Sequence, residues 1–353
     1  MTGPRILFVP NAGPAVGGGH VMRSLTLAQA LAARGAATAF LSAPGVDAVL
    51  DAFAPGMARV QADLADAQQV LEATDEAAFE AVVFDHYGLG VAEHRRIGRG
   101  RPTLVIDDLA DRPLGADLVV DSGLQRRPED YQGLIPPGAR LLLGPAYAPV
   151  RPEFPALRSQ ALARPIGPAR RILVAMGLTD VGGITSVVLD RLRQRINDVR
   201  LDIVLGEGAP SRAGLERLAR RDTRLTIHVD TPQMAELTAA ADFAVGAAGS
   251  SIWERCTLAL PAVMLILADN QRPAAEALAA MGAALVVDPT APGFDETFDR
   301  AVQRLLSDPA ARARLAAKAA EVCDGQGAGR TADAFLDLIT SRDSTPRVTI
   351  DNS

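Results

Sequence analysis

The feature that most constrains this chain is an alternation. Short apolar runs give way to longer runs of helical spacing, and the joints between them are rich in glycine. Arg5-Ile-Leu-Phe-Val-Pro10 passes through a Gly-, Ala- and Pro-rich loop, Asn11 to Gly19, into His20-Val-Met-Arg23-Ser-Leu-Thr-Leu-Ala28, whose apolar residues recur as on one helix face. That helix stops at Arg34-Gly35, a basic residue followed by a capping glycine. Further strands are expected at 37–41, 81–84, 103–106, 116–120 and around Leu141-Leu-Leu143, with helices at 46–53 and 63–79. The alternation restarts at Arg171-Ile-Leu-Val-Ala-Met176. Strands then read at 202–205, 225–229, 242–245, 262–266 and 284–287, and helices from 184, 212, 232 and 271. Three helices fill 295–339. Between the halves lies a stretch carrying Pro149, Pro152, Pro155 and Pro165.

Two successive α/β halves around such a joint imply two doubly wound, Rossmann-like domains facing across a cleft. The expected division is 1–150, a connection at 151–168, a second domain at 169–341 and a loose tail at 342–353. A length of 353 residues suits two domains of ordinary size. The formal net charge of −6 argues against a broad nucleic-acid footprint, so an anionic ligand needs a local site. Cys256 and Cys323 stand outside any Cys-x-x-Cys and read as reduced packing residues of a cytoplasmic protein. No secretory signal pattern opens the chain, and no apolar run approaches the ~20 residues that would span a bilayer. No stable membrane insertion is therefore expected, and the sequence names no oligomeric partner.

Where does chemistry enter? Gly246-Ala-Ala248-Gly249-Ser250-Ser251 follows a buried strand and opens a helix. Small residues let a ligand approach the backbone, and a helix start offers unpaired amides and partial positive charge. That is a candidate phosphate site. Glu254, one turn in, is placed to accept from two ribose hydroxyls, although Ser251-x-x-Glu254 is equally the pattern of a capping box. His20 follows Gly17-Gly18-Gly19 at the carboxyl end of the first strand. A helix N-terminus disfavours the imidazolium, so a neutral ring there is a candidate general base, with simple capping as the alternative. His86 follows a strand end and either holds its loop or meets substrate; His94 reads as solvated and His228 as structural. Asp85, Asp107-Asp108 and Asp121 end three successive strands, and the adjacent pair should point to opposite faces. Neither glycine loop matches Gly-x-Gly-x-x-Gly or a P-loop, and zinc spacings, Asp-x-Asp and a Gly-x-Ser-x-Gly elbow are absent. No metal or cofactor is called for.

The ordered set Gly17-Gly-Gly-His20-Val-Met-Arg23, Phe84-Asp85-His86-Tyr87-Gly88, Val105-Ile-Asp107-Asp108, Leu143-Gly-Pro-Ala-Tyr147, Gly246-Ala-Ala-Gly-Ser-Ser-Ile-Trp-Glu254 and Leu267-Ala-Asp-Asn270-Gln271 resembles the UDP-2,4-diacetamido-2,4,6-trideoxy-β-L-altropyranose hydrolases of pseudaminic acid biosynthesis. The likeness runs over most of the chain. It implies a GT-B-like fold and inverting cleavage of the bond between the anomeric carbon and the UDP oxygen, with water as acceptor. Carried over, His20 activates water, and Tyr87 and Asp85 hold sugar or water. Gly17, Gly18, Gly19 and Arg23 line the first-half side of the site. Gly177 and Asp180 line the second, where Ala248 to Ser251 take the diphosphate, Glu254 the ribose, and Asn270 and Gln271 the sugar or phosphate edge. Two departures stand out: Val9, Pro10 and Asn11 replace a charged pair usual in the family's first loop, and Gly177-Leu178-Thr179-Asp180 replaces a Gly-Gly-x-Asp loop. A GT-B glycosyltransferase moving a UDP-sugar to an acceptor, and a non-catalytic nucleotide-sugar binder, are the competing readings.

Overall fold

The computed structural model describes residues 3–13 and 16–343. The first half runs β1 (Arg5–Pro10), α1 (Gly19–Ala32), β2 (Ala37–Leu41), α2 (Pro44–Phe53), β3 (Ala58–Val60), α3 (Ala67–Glu76), β4 (Ala81–Asp85), α4 (Val91–Gly98), β5 (Thr103–Ile106), β6 (Leu118–Asp121) and β7 (Arg140–Leu143). The second runs α5 (Glu153–Leu162), β8 (Arg171–Ala175), α6 (Ile184–Arg195), β9 (Arg200–Leu205), α7 (Arg212–Ala219), β10 (Leu225–Val229), α8 (Met234–Ala240), β11 (Phe243–Ala247), α9 (Ser251–Thr257), β12 (Ala262–Leu265), α10 (Arg272–Ala280) and β13 (Leu285–Val287). Then come α11 (Phe294–Ser307), α12 (Pro309–Val322) and α13 (Gly327–Asp343). Among the described residues no helix is long and apolar enough to cross a membrane.

Each half builds one parallel sheet: β3-β2-β1-β4-β5-β6-β7 and β10-β9-β8-β11-β12-β13. Helices cover both faces, so the central strands are buried throughout; every residue of β4, β5 and β11 is buried. In each sheet the strand order reverses at the middle, between β1 and β4 and between β8 and β11. Loops leaving the two strands at such a reversal diverge to opposite faces and leave a crevice at the carboxyl edge. Both candidate loops of the sequence lie at these two crevices.

Several elements depart from the sequence reading. The helix expected over 63–79 is trimmed to α3, because Asp66 accepts from the amides of Gln68 and Gln69 and so caps the helix later. At the other end Ala78 turns the chain at φ 52°. The three-residue β3 was not expected; it is too short to show a period. Much of the expected connection 151–168 is the helix α5. Pro152 and Pro155 sit in its first turn, where missing amides cost nothing, and Phe154 is fully buried in the core of the second half. Arg158 fastens α5 by donating to the carbonyls of Thr257, Cys323 and Ala320.

The last helix crosses over. Ala332, Phe335 and Ile339 of α13 are buried with Leu25, Ala28 and Leu31 of α1, in the core of the first half rather than the second. Arg34 pairs with Asp333, and Arg342 with Asp117. The expected division groups 327–341 with the second half; their packing is on the first. Of the expected tail, Arg342 and Asp343 end α13, and 344–353 lie outside the described residues, as do Pro14 and Ala15 of the first loop.

Candidate functional site

Parallel pairing of β1 with β4 sets Pro10 beside Asp85. The chain leaving β1 enters α1 with His20 in its first turn, and the chain leaving β4 supplies His86 and Tyr87. His20 and Asp85, 65 residues apart in sequence, therefore meet: His20 Nδ1 lies 2.5 Å from Asp85 Oδ1. His20 is 6% and Asp85 1% exposed. Asp85 also accepts a two-pronged bond from Arg23, Nε to Oδ2 at 2.7 Å and Nη2 to Oδ1 at 2.6 Å, and one from Ser24 Oγ at 3.2 Å. Burial opposes its charge, yet Arg23 and His20 hold the carboxyl well below the usual carboxylate range. A carboxylate accepts and does not donate, so a neutral His20 ring facing it carries its proton on Nδ1 and its lone pair on Nε2; Arg23 Nη2 also lies 3.0 Å from Nδ1.

Arg23 Nη1 reaches on to Asp108 Oδ2 at 2.8 Å. Burial works against the Arg23 charge, but Asp85 and Asp108 raise its pKa all the same. Arg23, which the sequence reading sets among the residues lining the first-half side of the site, has its donors on two carboxylates and so braces Asp85 and Asp108. Asp85 is likewise enclosed, with His20, Arg23 and Ser24 as its partners. Tyr87 stands edge-on to the His20 ring, with centroids 4.4 Å apart. Burial first, then the Asp108 carboxylate, push its hydroxyl pKa up, so it stays neutral.

The second half meets this cluster from across the cleft. β11 ends at Ala247, and the first helical bonds beyond it run from Ile252 and Trp253 back to Gly249 and Ser250. The amides of Gly249, Ser250 and Ser251 are thus left at the loop mouth. Gly246 is obligatory here: a Cβ would stand 2.6 Å from the Ala175 carbonyl oxygen and 2.8 Å from Arg255 Nη1. The capping box does not form, since neither Ser250 nor Ser251 caps α9 with its side chain. Glu254 instead accepts from Arg151 Nε at 2.7 Å, which ties it to the segment joining the halves. Burial opposes the charge of Arg151, and Glu254 more than restores it.

The remaining predicted residues divide. Gln271 accepts from the Leu267 amide at 3.0 Å, with its Nε2 turned toward Gly249. Gly177, at φ 97°, turns the exposed loop after β8. Asp180, placed in the ligand site by the sequence, is fully buried and accepts from Thr185 N and Oγ1 and from Ser211 N. It organises the start of α6 and has nothing left for a ligand.

The two sides touch. A Cβ on Gly18 would lie 3.1 Å from Leu178 Cδ1, and one on Gly19 3.7 Å from Ser250 Oγ. Gly17 faces Thr179 Oγ1 at 3.6 Å by the same measure. Asn270 Nδ2 donates to the Tyr87 hydroxyl at 3.0 Å, bridging the cleft. His20, Tyr87 and Asn270 therefore form one row, with the Gly249–Ser251 amides beside it.

Among the histidines outside the row, one departs from the sequence reading. His94 is not solvated: it is 1% exposed, packs tilted against Phe84 with ring centroids 4.5 Å apart and accepts from the Gly115 amide. Burial, then the charge of Arg112, lower its pKa to about 4. The helix face it occupies looked polar because Arg95 and Arg96 flank it. His86 accepts from Gly88 N through Nδ1, so it does hold its loop, and His228 pairs with Asp202. Asp107 and Asp108 part as expected, Asp107 toward Tyr131 and Arg112, Asp108 toward Arg23. Sequence reasoning assigned no role to Asp108 or Arg255, whose importance shows only once burial and partners are known.

No protein-family model matches the chain. Among solved structures, MurG of Acinetobacter baumannii superposes with a TM-score of 0.66 at 18% identity, over 95% of this chain and 99% of that one. The architecture is GT-B. Two curated relatives share sequence with this GT-B chain. The spore coat polysaccharide biosynthesis protein SpsG of Bacillus subtilis is 28% identical over 201 residues, 56% of this chain and 59% of that protein, so the match spans about three fifths of that relative. The UDP-2,4-diacetamido-2,4,6-trideoxy-beta-L-altropyranose hydrolase of Campylobacter jejuni is 21% identical over 281 residues, 79% of this chain and 97% of that protein.

Proposed function

We propose that this chain hydrolyses a UDP-linked diacetamido-trideoxyhexose to UDP and free sugar with inversion at the anomeric carbon, in the biosynthesis of a nonulosonic acid such as pseudaminic acid. The observation that carries this reading is the Asp85–His20 pair at the start of α1, whose neighbour Gly19 comes up against Ser250 in the loop that carries the free amides. In the step, a water oxygen attacks the anomeric carbon as His20 Nε2 takes the water's proton. The bond from that carbon to the UDP oxygen breaks, and its electron pair leaves with UDP. The amides of Gly249 to Ser251 receive the diphosphate charge as it develops. Glu254, turned by Arg151, is the acceptor for ribose hydroxyls. Tyr87 and Asn270 lie where the sugar passes between the halves, so entry of substrate exchanges their mutual bond for bonds to the sugar. Placing base and phosphate loop on opposite halves lets closure assemble the site and exclude bulk water.

The test is UDP release from UDP-2,4-diacetamido-2,4,6-trideoxy-β-L-altrose without acceptor, comparing wild type with His20→Ala. Release that His20→Ala abolishes while UDP binding survives is the expected result. Wild type that binds UDP and releases none sinks the hydrolase and leaves the acceptor-dependent transferase, a second reading that the likeness to a GT-B enzyme keeps in play.

A further inference from the structure

We propose that Arg255 is the built-in countercharge of the loop Gly246 to Ser251: a buried cation whose anionic partner is the diphosphate of the ligand, reached through Ser251. The inference deepens the reading above and rests on its placing of a nucleoside diphosphate at this loop.

Arg255 is 2% exposed. Buried arginines ordinarily sit against carboxylates, because an uncompensated charge out of water is costly. No carboxylate pairs with Arg255 among the described residues. Nη2 donates to the Ala247 carbonyl at 2.6 Å, Nη1 to Ser251 Oγ at 3.2 Å, and Nε has no partner. Glu254, its neighbour in sequence, is engaged by Arg151. Burial lowers the Arg255 pKa to about 10, which still leaves it charged at neutral pH.

A second buried arginine supplies the contrast. Arg312, 1% exposed, donates to the carbonyls of Leu305 and Leu306 and to that of Gly167. Two of those carbonyls belong to the C-terminal end of α11, whose partial negative charge compensates a cation. The Arg255 guanidinium instead reaches back to the opening residue of α9, the positive end, where the helix adds to its charge. Gly246 at the end of β11 leaves room for it, since a Cβ there would stand 2.8 Å from Nη1 as well as 2.6 Å from the Ala175 carbonyl oxygen. Ser251 accepts from Arg255 and so keeps its own hydroxyl proton for an oxygen above. A buried cation with no carboxylate partner thus bonds the hydroxyl of Ser251 and the carbonyl of Ala247, on either side of the loop that carries the free amides. That set suits a phosphate anion and has no use for a neutral group.

The test is calorimetric binding of UDP and of uridine to wild type, Arg255→Met and Arg255→Lys, each checked for folding by its melting transition. Arg255→Met is expected to bind UDP about tenfold more weakly or worse, and uridine as wild type does. Arg255→Lys keeps the charge without the fork and is expected to fall between. Equal losses for UDP and uridine would mark a merely structural residue, and unchanged UDP binding in Arg255→Met would remove the role altogether; either overturns the inference. Should Arg255→Met not fold, the UDP-to-uridine ratio in Arg255→Lys decides by the same criterion. Inorganic pyrophosphate should raise the melting temperature of wild type, and a null result there also counts against the inference. Wild type that binds neither UDP nor uridine refutes instead the nucleotide reading on which it rests.

Discussion

Replacing Asp85 by Asn changes one atom type at the point where the first half of the site is held together. The carboxylate accepts from His20 Nδ1, from Arg23 at two atoms and from Ser24, at 1% exposure. The amide offers one acceptor oxygen and turns the other position into a donor. Arg23 keeps Asp108 but loses half of its carboxylate set, and His20 faces an N–H where it had an acceptor. Removing one partner of a buried ion pair costs about 3–5 kcal/mol, and the retained Asp108 places this change toward the lower figure. The catalytic effect should be larger than the stability effect. An Asn donor toward Nδ1 moves the ring proton to Nε2, so the base is lost without loss of the ring, and a fall in kcat of about 10²–10⁴ is expected. The assay is initial UDP release at saturating substrate, with KM read separately and folding followed by urea denaturation. A predominant kcat effect at nearly unchanged KM fits a residue that acts through His20. A folded Asp85→Asn enzyme running at the wild-type rate would refute the assignment of the ring proton. Because the folded pKa of Asp85 is depressed, its contribution to stability is present above the unfolded value of about 3.9 and is lost as pH falls through the folded value, so acid should unfold wild type more steeply than Asp85→Asn.

Three further outcomes are expected. His94 is neutral when folded, with a pKa of about 4, against about 6.5 unfolded; stability is therefore full above pH ~6.5 and declines toward pH 4 by about 3 kcal/mol in total, a slope that His94→Phe should flatten in pH-dependent denaturation. Phe335→Ala, which opens the joint between α13 and α1, should cost about 3–5 kcal/mol in urea denaturation, and a loss below 1 kcal/mol would show that α13 is not part of that core. Tyr87→Phe removes the hydroxyl that meets Asn270 while keeping the ring against His20, so kcat/KM should fall by roughly tenfold with thermal stability held within about 1 kcal/mol; an unchanged kcat/KM would exclude that hydroxyl from the site.

Much of this architecture could be read along the chain. Apolar runs too short for helices, each followed by a helical period, specify buried strands and their covering helices, and β1, α1, β8 and β11 fall where the pattern puts them. The glycine loops were legible for a similar local reason: only small residues tolerate the approach that Gly246 makes to Ala175. What failed locally failed where tertiary contacts outrank pattern. Prolines suggested an open connection at 151–168, but a buried Phe154 and the bonds of Arg158 make it a helix. A polar neighbourhood suggested a wet His94, but α4 turns that side chain inward onto Phe84. Asp180 and Arg23 carry the groups a ligand site wants, and their partners show them already engaged.

The sequence by itself determined which segments are strands and helices, that there are two such sets, and which loops lie at strand ends, because propensity and periodicity act between residues a few positions apart. Strand order was beyond it. A run of valines and leucines is equally content beside any similar neighbour, and only the packing of helices on both faces selects β1 beside β4 and β8 beside β11. That choice brings His20 to Asp85 and turns two glycine loops toward one cleft. The return of α13 to the first half was decided in the same way, by an apolar face on α1 that nothing nearby in the chain could cover. The engagement of Arg255 beneath its loop rests on burial, a property of the folded volume that no short stretch of residues carries.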